Sequence, residues 1–127
     1  MRQVWIIDDD EEMNRAIALM LKMLNCEVMT FHGARSAVQA LLAGKVPELF
    51  LLDINMPEVS GLDMLEFLRR RKEWQQLPII MLSSEAADNM VDKALQMGAN
   101  SYLIKPVTIE ELDKAMTIVF QKQASIK

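Results

Sequence analysis

Five short apolar runs, each closed by a polar residue and each followed by an amphipathic stretch, constrain this chain's fold more than any other feature. Val4–Ile7 ends at Asp8, Val28–Phe31 at His32, Leu49–Leu52 at Asp53, Ile79–Leu82 at Ser83, and Tyr102–Ile104 at Lys105. Such runs are too short for helices and read as strands. Between them, apolar residues recur at helical spacing. Met13, Ala16, Ile17, Met20, Leu21 and Leu24 mark a first helix; Ala37, Val38, Leu41 and Leu42 a second; Leu62, Leu65 and Leu68 a third. Met90, Val91, Ala94, Leu95 and Met97 mark a fourth, and Leu112, Ala115, Met116, Val119 and Phe120 a fifth. Asn25, Gly44 and Gly98 stand where helices stop, and Thr108 with Glu111 forms a capping-box pattern before the last helix.

The order is (βα)5, an α/β chain. Alternating strands and helices imply a parallel sheet covered on both faces. Right-handed crossovers return the chain to the same end of the sheet each time, so all strand C-termini share one edge. In open sheets of this kind, ligands bind at that edge.

The length of 127 residues fits a single domain, with a core of about 3–121 and a short polar tail. A net charge of -4 provides no basic excess to meet phosphates, which argues against direct nucleic-acid binding. No apolar run is long enough for a membrane span, and the acids from Asp8 onward interrupt any leader-like stretch. Cys26 is the lone cysteine, which excludes an internal disulfide and a cysteine zinc site. It reads as a small buried hydrophobe, and a reducing cytoplasm is the simplest location.

The edge residues carry the chemistry. The first strand delivers Asp8 and Asp9, the third Asp53, the fourth Ser83 (with Ser84 next), and the fifth Lys105. Two unit charges about 5 Å apart repel by roughly 3 kcal/mol at an effective dielectric of about 20. Three converging carboxylates therefore call for a cation, and oxygen ligands suit Mg2+. A lysine and a hydroxyl beside them provide for phosphoryl oxygens, and a carboxylate can itself be the nucleophile. The chemistry implied is phosphorylation of an aspartate, carried by positioning and charge neutralisation.

With these residues in place, the chain resembles the receiver domain of a bacterial two-component response regulator, of the chemotaxis-regulator type. The likeness runs from Val4 to about Phe120 and rests on "IIDDD" at 6–10, "LLDINMPEVSGLDML" at 51–65, "IIMLSSEA" at 79–86 and "SYLIKPVT" at 101–108. The resemblance implies a doubly wound, flavodoxin-like sheet of five parallel strands in the order 2-1-3-4-5. It implies Asp53 as phosphoacceptor, and Mg2+ (or Mn2+) held by Asp8, Asp9, Asp53 and the backbone carbonyl of Asn55. Ser83 matches the switch hydroxyl, Tyr102 the switch aromatic, and Lys105 the phosphate-binding lysine, with a cis peptide to Pro106. Asn55 and Glu85 match positions that tune phosphoryl lifetime, and their polar side chains predict rapid self-dephosphorylation. The implied partners are a sensor histidine kinase or phosphotransfer protein, and an output partner on the surface of the fourth helix, fifth strand and fifth helix. Asn89, Val91, Asp92 and Ser101 are the expected exposed residues there. The implied protein is a monomer or a phosphorylation-dependent homodimer, and no enzyme beyond its own phosphorylation and dephosphorylation. Val107 stands where Phe is frequent and Ser60 where Asp is common; neither touches the chemistry.

Other polar residues have plainer readings. Asp10 is the expected N-cap of the first helix, with Glu11 and Glu12 in its first turn, where acids complement the helix dipole. The basic run Arg69–Lys72 belongs at the end of a helix, where cations are favourable. His32 lies on the wrong strand and reads as structural. An aspartyl-phosphate phosphohydrolase is disfavoured because Asn55, not an acid, stands two residues past Asp53. A docking module without phosphorylation is disfavoured by the full set of site residues. The chain reads as a stand-alone regulator, with a receiver cut from a larger regulator or hybrid kinase as the alternative.

Overall fold

The structure is a computed structural model that describes residues 1–84 and 88–126. Its elements alternate as β1 (Arg2–Ile7), α1 (Glu11–Met23), β2 (Cys26–Phe31), α2 (Ala34–Leu42), β3 (Leu49–Asp53), α3 (Gly61–Arg70), β4 (Ile79–Ser83), α4 (Asp88–Gln96), β5 (Ser101–Ile104) and α5 (Ile109–Ile126). The sheet order is β2-β1-β3-β4-β5, and each neighbouring pair is parallel. This is the doubly wound sheet expected.

Strand alternation divides the core into two layers. Trp5, Ile7, Phe50, Leu52, Ile79 and Met81 face Ala37 and Leu41 of α2, Leu65 and Leu68 of α3, and Ala94 of α4. Val4, Ile6, Leu49, Leu51, Ile80 and Leu82 face Ile17 and Leu21 of α1 and Leu112 and Val119 of α5. β3 and β4 are buried along their whole length, which explains why their sequences are apolar without alternation. Cys26 is buried as a free thiol, and burial pushes its pKa up. Val107 packs inside the α1–α5 layer.

The predicted caps form. The Asp10 carboxylate accepts from the N–H groups of Glu12 at 3.0 Å and Met13 at 3.2 Å. The Thr108 hydroxyl accepts from Glu111 N–H at 3.1 Å, while Glu111 accepts from Thr108 N–H at 3.0 Å. A third cap, not among those expected, is Ser60, which closes the start of α3 in a reciprocal box with Asp63. Each such cap is worth about 1 kcal/mol. β2 starts at Cys26 rather than Val28, and α4 ends one residue before Met97. Val91 and Ser101 are half-buried, not exposed, whereas Asn89 and Asp92 are exposed as expected. No helix among the described residues is long and apolar enough to cross a membrane.

Arg69 departs from the picture of a solvated helix-end cation. Its guanidinium donates to the carbonyl of Gly98 at 2.9 Å, the carbonyl of Trp74 at 3.1 Å, and Oδ1 of Asn100 at 3.0 Å. Asn100 Oδ1 also accepts from Ile79 N–H at 2.8 Å. One side chain thus ties the end of α3 to the starts of β4 and β5. Gly98, at φ +110°, leaves room for it, since a Cβ there would press on the arginine stem.

Candidate functional site

At the other end of the sheet, four adjacent strands present polar residues. Asp8 follows β1, Asp53 ends β3, Ser83 ends β4, and Lys105 follows β5. Asp8, Asp53 and Ser83 are buried, while Asp9 is exposed at the rim. Asp8, Asp9 and Asp53 each bring a carboxylate oxygen into a group whose atoms lie within 4.8 Å of one another. Lys105 Nζ sits between two of them, donating to Asp8 Oδ2 at 2.8 Å and Asp53 Oδ1 at 3.1 Å.

The backbone fixes these groups. Asp8 N–H donates to the Phe31 carbonyl at 3.0 Å, extending the β1–β2 ladder by one step. Asp10 N–H donates to Asp8 Oδ1 at 2.9 Å. Lys105 N–H donates to the Ser83 carbonyl at 2.8 Å, and the Lys105–Pro106 peptide is cis. Gly61 N–H donates to the Ile54 carbonyl at 2.8 Å. A Cβ on Gly61 would overlap the Asp53 carbonyl oxygen, so only glycine lets α3 start this close to the Asp53 backbone.

The charges are unevenly balanced. Burial pushes the Asp53 carboxyl up to about 6, and the negative charge of Asp8 adds to the effect. Lys105 and the Asn55 N–H oppose that rise without cancelling it. Burial works against the charge on Lys105, yet its bonds to Asp8 and Asp53 hold its pKa above the usual lysine value. One lysine faces three carboxylates. Hard oxygen donors crowded around a charge deficit are what a divalent oxygen-seeking cation requires.

The remaining predicted residues divide. Asn55 lies two residues beyond Asp53 and is exposed. Tyr102 is half-buried on β5 and packs against the layer that contains Met81 and Ala94. Glu85 lies outside the described residues. His32 is exposed beyond β2 and does not belong to the carboxylate group. Two residues escaped the sequence reading. Gly61 was visible only as part of a motif. Asn14, on the buried face of α1, donates from Nδ2 to the Asp8 carbonyl at 2.8 Å. A polar residue in register with Ile17 and Leu21 was the available signal.

The chain matches the family "Response regulator receiver domain" over residues 4–117, and it belongs to that family. It is 32% identical over 115 residues to the chemotaxis protein CheY1 of Helicobacter pylori, covering 90% of this chain and 93% of the relative. It is 35% identical over 109 residues to the hybrid signal transduction histidine kinase D of Dictyostelium discoideum. That match covers 86% of this chain but spans only 7% of the kinase's length. Among solved structures, Vibrio cholerae CheY4 superposes with a TM-score of 0.85 at 26% identity, covering 94% of this chain and 98% of the other. Receiver domains are signalling switches of two-component systems. They interact with histidine kinases or phosphotransfer proteins and generally bind Mg2+ at an acidic pocket.

Proposed function

We propose that this chain is a phosphorylation switch whose acceptor is Asp53. The carrying observation is the buried Asp53 carboxylate, bonded to Lys105 and within 4.8 Å of two further carboxylates at the ligand-binding edge of the sheet. An Asp53 oxygen attacks the phosphorus of a partner's phosphohistidine. The phosphorus–nitrogen bond breaks, and the imidazole leaves with the bonding electron pair. Lys105 then moves its charge from the carboxylates to the phosphoryl oxygens, and the Ser83 hydroxyl donates to one of them. A displaced Ser83 vacates space for Tyr102, which biases the α4–β5–α5 surface between two states. The exposed Asn89 and Asp92 belong to the surface offered to an output partner.

The grouped oxygens of Asp8, Asp9 and Asp53 fit a hard divalent cation; these residues would hold it, together with the Asn55 carbonyl that the family resemblance adds. When bound, Mg2+ (or Mn2+) supplies positive charge opposite the phosphoryl oxygens. Asn55 and Glu85 tune the phosphoryl lifetime, and the polar Asn55 leaves an attacking water unblocked. The site of action is the cytoplasm, without nucleic-acid binding by this domain, and the chain is a monomer or a homodimer formed on phosphorylation. Whether the domain stands alone or belongs to a larger regulator, the chemistry at Asp53 is the same.

The test is incubation with Mg2+ and a small-molecule phosphodonor, read by intact mass. The wild-type chain gains one phosphoryl group, and Asp53→Asn gains none. Mg2+-dependent labelling that persists in Asp53→Asn would overturn the assignment.

A further inference from the structure

Asp8 and Asp9 are held in different ways. The Asp8 carboxylate is pinned on both oxygens, by Asp10 N–H at 2.9 Å and by Lys105 at 2.8 Å. The exposed Asp9 carboxylate receives no hydrogen bond or ion pair from the described residues. Its position therefore depends on the backbone beneath it. Among the described residues, the carbonyl of the Asp8–Asp9 peptide has one fixing contact, the 2.8 Å bond from Asn14 Nδ2. Asn14 is 2% exposed and packs on the α1 face that also buries Ile17 and Leu21. Its Oδ1 is buried and has no hydrogen-bond partner among the described residues. Burying an amide whose oxygen stays unsatisfied is unfavourable, and an apolar residue would suit that face better. The amide is thus poorly explained by folding and well explained by its contact with Asp8.

We infer that Asn14 is a positioning residue for the metal site: it locks the Asp8–Asp9 peptide plane and so holds the Asp9 carboxylate within reach of a cation shared with Asp8 and Asp53. The inference rests on the cation-binding reading of the carboxylate group. Residues that orient metal ligands from behind typically contribute tenfold or more to affinity.

The test uses the whole chain with MgCl2 alone as probe. Mg2+ affinity is read from the amide resonances of residues 8–10, and stability from urea unfolding in EDTA, for wild type, Asn14→Leu and Asn14→Ala. The expected result is about tenfold weaker Mg2+ binding in both variants, with the Asn14→Leu urea midpoint equal to or above wild type. Nitrogen relaxation in the metal-free variants should show greater mobility at Asp9 and Asp10. A structural asparagine would give the opposite split, with lost stability and unchanged affinity. Variants that bind Mg2+ within twofold of wild type, or that both fail to fold, would overturn the inference alone. A wild-type chain that does not bind Mg2+ would overturn the site reading and the inference with it.

Discussion

Lys105 and Arg69 are both partly buried cations, placed at opposite ends of the same sheet and held by opposite kinds of partner. Lys105 is held by two carboxylates, and its pKa rises. Arg69 is held by two backbone carbonyls and one amide oxygen, and burial brings its pKa down to about 10. The difference separates a switch from a staple. The partners of Lys105 are carboxylates, which lose their charge when they take up a proton, so its contacts can be exchanged. The partners of Arg69 are neutral and have nothing to exchange. Its planar fork matches three acceptors at once, which a lysine could not do. The sheet therefore has one end that responds to charge and one end that stays closed, and α4 runs between them.

The largest effect expected is from breaking the staple. Arg69→Met keeps most of the apolar stem but deletes three hydrogen bonds and leaves the Gly98 and Trp74 carbonyls without that donor. We expect a loss of about 3 kcal/mol in urea unfolding, with Mg2+ affinity unchanged within twofold. An equal loss of Mg2+ affinity would show that the two ends are coupled and would break the comparison.

A somewhat smaller effect belongs to the responsive end. Burial pushes the Asp53 carboxyl up to about 6 in the folded protein, well above its ordinary value of 3.8. The folded state therefore keeps this proton to higher pH than the unfolded state does. Its contribution to stability is present below about pH 4 and is lost as pH rises through about 6, on the order of 2–3 kcal/mol. In EDTA, wild type should lose this stability across that window relative to Asp53→Asn, whose curve lacks the term. Millimolar Mg2+ should flatten the wild-type slope, because a cation favours the ionised carboxylate. Parallel wild-type and Asp53→Asn curves in EDTA would remove the charge-responsive reading.

The smallest effect sharpens the comparison at Lys105 itself. Lys105→Met removes the charge and the hydrogen bond that keep the Asp53 pKa from rising further. The Asp53 titration, followed by carboxyl carbon NMR, should move upward by roughly one pH unit. Because Asp53 can take up a proton instead of staying an unpaired charge, stability at pH 7 should fall by only about 1–2 kcal/mol and recover in part with Mg2+. The same variant leaves the Arg69 contacts untouched. An unmoved Asp53 titration would mean that Lys105 does not hold the carboxylates together.

The sequence by itself determined the elements, the edge they share and the residues gathered there. Strand runs, helical spacing, the Asp10 cap and the Thr108–Glu111 box are local patterns, read within a few residues of one another. Asp8, Asp53, Ser83 and Lys105 were legible because each stands at or just after the end of a strand, and parallel topology carries every strand end to one side. Only the tertiary structure decided which charges touch, which side chains they leave unbalanced, and what supports them from behind. Arg69 meets acceptors 29 and 31 residues further along the chain. Gly61 is required by the nearby Asp53 carbonyl, and Asn14 by the Asp8 carbonyl, neither of which shows in a list of residue types. The half-burial of Val91 and Ser101 belongs with them. Burial and hydrogen-bond partners depend on distances between elements, and the packing of side chains across the sheet sets those distances.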